Sequence, residues 1–159
     1  MNPLRILLVA GLFALVIAPL VADDKKDELK LSEDEQAVVD LTNAARTKAD
    51  KNLTPLKPNP KLMEAARKHA ENMAAQGKLD HTLDGKTFVD RAKAVEYKYR
   101  ALGENIAASY KTPKEVVDVW MGSAIHRGNI LNKDYAEIGV GVVKNKQGEP
   151  YWVQVFGKQ

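Results

Sequence analysis

Two runs decide the fold class: Glu137-Ile138-Gly139-Val140-Gly141-Val142-Val143-Lys144 and Pro150-Tyr151-Trp152-Val153-Gln154-Val155-Phe156, joined by Asn145-Lys146-Gln147-Gly148-Glu149. Both are rich in valine and aromatic side chains. The segment between them is polar and holds a glycine, which is the pattern of an antiparallel β-hairpin. The long elements upstream are written in the helical period. Ser32 and Glu35 form a capping-box pair, and Val38, Leu41, Thr42 and Ala45 follow at helical spacing, so a helix is expected over residues 33–49. Asn59 precedes Pro60, the apolar stripe runs through Leu62, Ala65, Ala66, His69, Ala70 and Met73, and Gly77 stands beyond it. This predicts a second helix ending near Gln76. Thr112, Pro113 and Glu115 repeat the start signal, and Val116, Val119, Trp120 and Ser123 carry a third long helix to about Ile125. Residues 80–109 read as irregular, with a short helix near 87–94. Helices first and strands late indicate an α+β domain, an antiparallel sheet covered by helices.

The chain has 159 residues and no cysteine. A length of one ordinary domain provides one core, and the lack of cysteine excludes disulfides, thiolate metal sites and a cysteine nucleophile. A formal charge of +3 is spread among nearly equal numbers of acids and bases. Without clustering on one face it gives no reason to expect nucleic acid. At the amino terminus Arg5 precedes an apolar run, Ile6 to Val21, that stops at Asp23, Asp24, Lys25 and Lys26. This pattern reads as a signal peptide over residues 1–22, followed by a charged, solvated lead-in over 23–32 and one domain over 33–159. The expected location is outside the cytoplasm, secreted or periplasmic, with membrane contact only through the amino-terminal segment if it is retained.

Long irregular stretches in a compact domain tend to carry function, so a site is sought between His81 and Ser109. His81 starts that stretch, just before the turn-forming Asp84 and Gly85. His126 falls where the third helix is expected to end, a place that favours a protonated imidazole. His69, inside the second helix, reads as a partly buried structural residue. Glu104 lies between Gly103 and Asn105 with apolar residues after it, and desolvation there would raise its pKa unless a histidine or cation accompanies it. Two imidazoles and a carboxylate suit a divalent ion such as zinc, held through neutral ring nitrogens with water in the open position. They suit equally a metal-free hydrogen-bond network that ties loops together. No zinc-protease helix, nucleophile elbow, phosphate-binding loop or dinucleotide fingerprint occurs, and neither Ser109 nor Ser123 sits in a nucleophile motif.

Gly103-Glu104-Asn105-Ile106-Ala107 is followed by a run from Trp120-Met121-Gly122-Ser123 through His126-Arg127-Gly128-Asn129 to Asn132. Tyr135 to Gly141 and Tyr151 to Gly157 come next. In order and spacing these resemble the bacterial branch of the CAP superfamily, the cysteine-rich secretory, antigen 5 and pathogenesis-related proteins. Leu41 to Arg46 and Asn59 to Ala70 resemble its first two helices, so the likeness covers about residues 33–157. The resemblance implies a three-layer α-β-α sandwich with a central, mostly antiparallel sheet and an open cleft. It implies that His81 and His126 are the cleft histidines, able to bind zinc or another divalent metal, and that Glu104 is the cleft glutamate. The family's second glutamate has no counterpart here: Ser123 is nearest its place. Glu137 is a possible substitute but reads as a strand entry. Asn105 belongs to the same motif as Glu104, and Arg127, Asn129 and Asn132 support the chain around His126.

Three functional readings follow from this pattern. The first is a secreted binding module, monomeric and without organic cofactor, whose His/Glu cleft takes a divalent metal and an extracellular lipid, glycan or peptide. The second is a metal- or histidine-assisted hydrolase in which Glu104 is the general base. The third is a structural extracellular domain whose cleft is a metal-free hydrogen-bonded network.

Overall fold

The computed structural model describes residues 29–159, so the expected signal peptide and the first part of the lead-in, residues 1–28, lie outside the described residues. The last part of the lead-in is attached to the domain. Leu29 and Leu31 pack against the core, and the Lys30 carbonyl accepts a hydrogen bond from Arg67 at 2.8 Å. Helix α1 spans Glu33–Ala49, and its capping box is formed as expected by Ser32 and Glu35. Glu35 also accepts two hydrogen bonds from Arg67, at 2.7 and 2.6 Å, which tie α1 to the second helix. A two-residue strand, β1 (Lys57–Pro58), leads into α2 (Pro60–Gln76). Asn59 caps α2, and Gly77 ends it in the left-handed conformation at φ 62°. The short helix α3 is Phe88–Ala94, capped by Thr87 and Asp90.

Strand β2, Ala101–Ala108, occupies part of the stretch expected to be irregular. The long third helix is in fact two. Helix α4 is Pro113–Gly122 and α5 is Ala124–Ile130, with Ser123 extended between them at φ −92°, ψ 125°. Arg127 spans the break by donating to the Met121 carbonyl at 3.1 Å. The carboxy-terminal hairpin is β3 (Glu137–Lys144) and β4 (Pro150–Lys158). The strand order is β1-β3-β4-β2, in which only the β1–β3 pair is parallel.

Alternation along β4 shows that both faces of the sheet are covered. Trp152 and Phe156 join one apolar cluster, with Val38 and Val39 of α1, Val116 and Trp120 of α4, and Ile130 of α5. Tyr151, Val153 and Val155 join another, with Leu62, Ala66, Ala70 and Met73 of α2. Successive strand residues face opposite ways, so this is an α-β-α sandwich with α1, α4 and α5 on one side and α2 on the other. Helix α2 lies flush on β3 because Gly139 and Gly141 have no side chains. A Cβ on either would stand 2.1 and 2.5 Å from the backbones of Leu62 and Ala66.

Candidate functional site

The antiparallel register pairs Glu104 with Val155 and Asn105 with Gln154. Glu104 therefore faces α2, and Asn105 faces the other helical layer. Because β2 is an edge strand, both lie beside segments that close over the rim of the sheet. On the far face a buried polar chain runs from Thr42 to Gln154 at 2.7 Å and from Gln154 to Asn105 at 3.1 Å. Asn105 then donates to the His126 carbonyl at 3.2 Å and accepts from Asn129 at 2.8 Å, while Asn129 also donates to the Glu104 carbonyl at 3.1 Å. Asn105 and Asn129 thus fix α5 against β2. Asn132 turns the chain beyond α5, and its carbonyl accepts from the buried Arg46 at 2.9 Å.

On the α2 face the Glu104 side chain is fully buried and both its oxygens are taken. Oε1 lies 2.8 Å from His81 Nδ1, and Oε2 accepts from Arg91 at 2.6 Å. Arg91 also donates to the His81 carbonyl at 3.1 Å and to the Lys86 carbonyl at 2.9 Å, so one guanidinium clamps the loop after α2 at two points. Nothing in the sequence singles out Arg91: it is one of many cations, and its role depends on α3 meeting β2. His69 is another residue whose surroundings the sequence hides. It is completely buried, with Nε2 4.0 Å from Glu104 Oε1. Burial pushes its pKa below the ordinary imidazole value, the Glu104 charge opposes that shift, and Arg91 and His81 reinforce it. The Asp80 carbonyl lies near enough to favour a ring proton, but neither nitrogen makes a hydrogen bond of normal geometry.

His81 is half exposed. A carboxylate can only accept, so Nδ1 carries the proton in this contact and the Nε2 lone pair of the neutral ring is left for other partners. His126 is in the first turn of α5, not at a helix C-terminus as the sequence suggested. Its pKa is lowered, by burial first and then by the neighbouring His81, instead of being raised by a helix end. No hydrogen bond or ion pair joins His126 to Glu104 among the described residues. Ser123 links α4 to α5 and makes no side-chain cap hydrogen bond. Glu137 is engaged elsewhere, accepting from Asn59 at 2.8 Å and from Tyr97.

Among the described residues no three histidine, cysteine, aspartate or glutamate side chains are grouped to hold a metal ion. Glu104 cannot serve as a ligand while both oxygens are engaged. It is placed instead behind His81, where a carboxylate fixes a ligating imidazole. The donor set therefore does not fit a closed three-residue zinc centre, and any ion at this place would rest on the two imidazoles alone.

A profile of the cysteine-rich secretory protein (CAP) family matches residues 39–156. The chain belongs to this family. YkwD of Bacillus subtilis, itself described as uncharacterized, is 41% identical to it over 124 residues, 77% of this chain and 46% of that one. Among solved structures, an outer surface protein of Borrelia burgdorferi has a TM-score of 0.75 at 24% identity, covering 82% of this CAP chain and 96% of its own. An extracellular protein of Bacillus anthracis containing an SCP domain has a TM-score of 0.72 at 25% identity, covering 83% and 45%. This CAP chain thus spans less than half the length of both Bacillus proteins.

Proposed function

We propose that this CAP domain works outside the cytoplasm as a binding module, and that its ligand-facing feature is the imidazole pair of His81 and His126. The observation that carries this reading is the buried Glu104–Arg91 pair, which takes one nitrogen of His81 and leaves the other free. Extracellular placement is supported by the export pattern at the amino terminus and by relatives described as outer surface and extracellular proteins. The two rings would hold a divalent ion such as zinc, and the bound ion would supply a Lewis-acidic anchor for an oxygen of a lipid, glycan or peptide. The protein's own part is to fix the direction of the His81 ring through Glu104 and to hold the loop still through Arg91.

The hydrolase reading draws no support from this geometry. A general base needs an oxygen or nitrogen within reach of the water it activates, and both Glu104 oxygens are sealed and occupied. The structural reading has one observation in its favour: Arg91 joins Glu104 to two loop carbonyls, which would stabilise the domain with no ligand at all. Calorimetric titration with zinc separates the two, using wild type, His81→Ala and His126→Ala. The binding reading expects heat of binding in wild type, lost in each variant. Equal binding in all three, or none in wild type, would leave the structural reading standing.

A further inference from the structure

Away from the imidazole pair, a cavity of about 290 Å³ opens between α2 and α3, a volume near the lower end of small-molecule sites. Leu83 and Val95 give it apolar wall. Lys68 and Lys86, both exposed, bring positive charge to it. His69 and Arg91 line it too, and they hold the only buried side-chain nitrogens without a hydrogen-bond partner among the described residues: both ring nitrogens of His69 and Nε of Arg91. Buried polar groups are nearly always paired, and leaving one unpaired costs about 1–3 kcal/mol. Orphan atoms on two residues that line one cavity, from two different helices, therefore call for an explanation.

The chemistry of the orphans narrows the occupant. Arginine Nε–H can only donate, and a neutral imidazole has one donor to give. A suitable ligand brings acceptor oxygens. Glu104 neutralises Arg91 from behind, so the excess charge comes from the lysines. Lys68 has an exposed partner in Glu64, an ion pair of the kind that is weak and readily exchanged.

We propose that this cavity binds a small organic carboxylate, its oxygens accepting from Arg91 Nε and the His69 ring and its short apolar body lying on Leu83 and Val95. All three nitrogens are shielded in the present arrangement, so binding requires a local opening of the cavity wall around them. Arg91 also belongs to the clamp behind His81, but the nitrogen offered here, Nε, is not among those that the clamp uses.

The probes are butyrate and hexanoate, with n-butanol and inorganic phosphate as controls, followed by two-dimensional NMR of the whole domain. Expected are saturable shifts of α2 and α3 amides and of the His69 ring, stronger for hexanoate and absent for butanol. Lys86→Glu, an exposed change, should weaken binding about tenfold, equivalent to 1.4 kcal/mol. Ala94→Phe, which fills the cavity from the exposed end of α3, should abolish it. Phosphate binding as tightly as hexanoate would mean a simple anion site and overturn the carboxylate assignment. Shifts that never saturate, that match those of butanol, or that leave the His69 ring unmoved would overturn the site itself.

Discussion

At the scale of single residues the decisive atom pair is Glu104 Oε1 and His81 Nδ1, because it converts a buried charge into the orientation of an exposed ring. The same interior sets a pH dependence. Burial holds His69 and His126 below the ordinary imidazole value of 6.5, which the unfolded chain keeps. Between the two values the unfolded state binds more protons, so stability rises with pH there. The contribution is complete above 6.5 and is lost as pH falls through that value toward the folded one. Glu35 acts in a separate window. Burial raises its pKa, but hydrogen bonds from Arg67 and Ser32 outweigh that and hold it below 4.5, so its contribution is lost only in more acidic solution. Thermal melts should therefore show a constant Tm from about pH 8 to 7 and a fall as pH drops below about 6.5. Each kcal/mol lost lowers Tm by about 3 °C. His69→Leu should flatten that fall, and an unchanged slope in the variant would contradict the account of its burial. His81 and His126 were singled out from the sequence by their places at an irregular stretch and in a family-like motif; Arg91 and the setting of His69 could not be, because a guanidinium and an imidazole in ordinary helical positions acquire meaning only from what packs against them.

The elements show which local signals carry through to structure. Helices α1, α2 and α3 follow their caps closely, since Ser32, Asn59 and Thr87 each supply the side-chain acceptor that a helix start needs. Strand β2 escaped recognition because Glu104 and Asn105 place two polar residues in its middle, and its pairing is with β4, far along the chain. The break between α4 and α5 escaped because the apolar spacing continues across it. Gly122 lowers helix propensity there, and Arg127 satisfies a carbonyl that the helix gives up. Two glycine substitutions test the packing of the elements. Gly139→Ala drives a Cβ into the Leu62 backbone, which cannot rotate away, and should destabilise by about 3 kcal/mol or more. Gly128→Ala meets nothing within 4 Å on α5 and should stabilise by about 0.5–1 kcal/mol. Denaturant titration of both reads the signs, and equal effects would contradict the flush seating of α2 on β3.

Across the whole molecule, the strand order leaves β2 at an edge, so the loop after α2, helix α3 and helix α5 can all reach it. That convergence holds the candidate site together; the resemblance to the family pointed to residues 81, 104 and 126, whereas Arg91 enters only through the packing of α3 beside β2. Among the described residues no helix is long and apolar enough to cross a membrane. The most direct test is the tautomer of His81, read from long-range proton–nitrogen correlation spectra at a pH where the ring is neutral. A protonated Nδ1 and a bare Nε2 are predicted, with the bare nitrogen responding to added zinc. A proton on Nε2 would mean that Glu104 does not hold the ring and that the outward-facing imidazole pair does not exist as described.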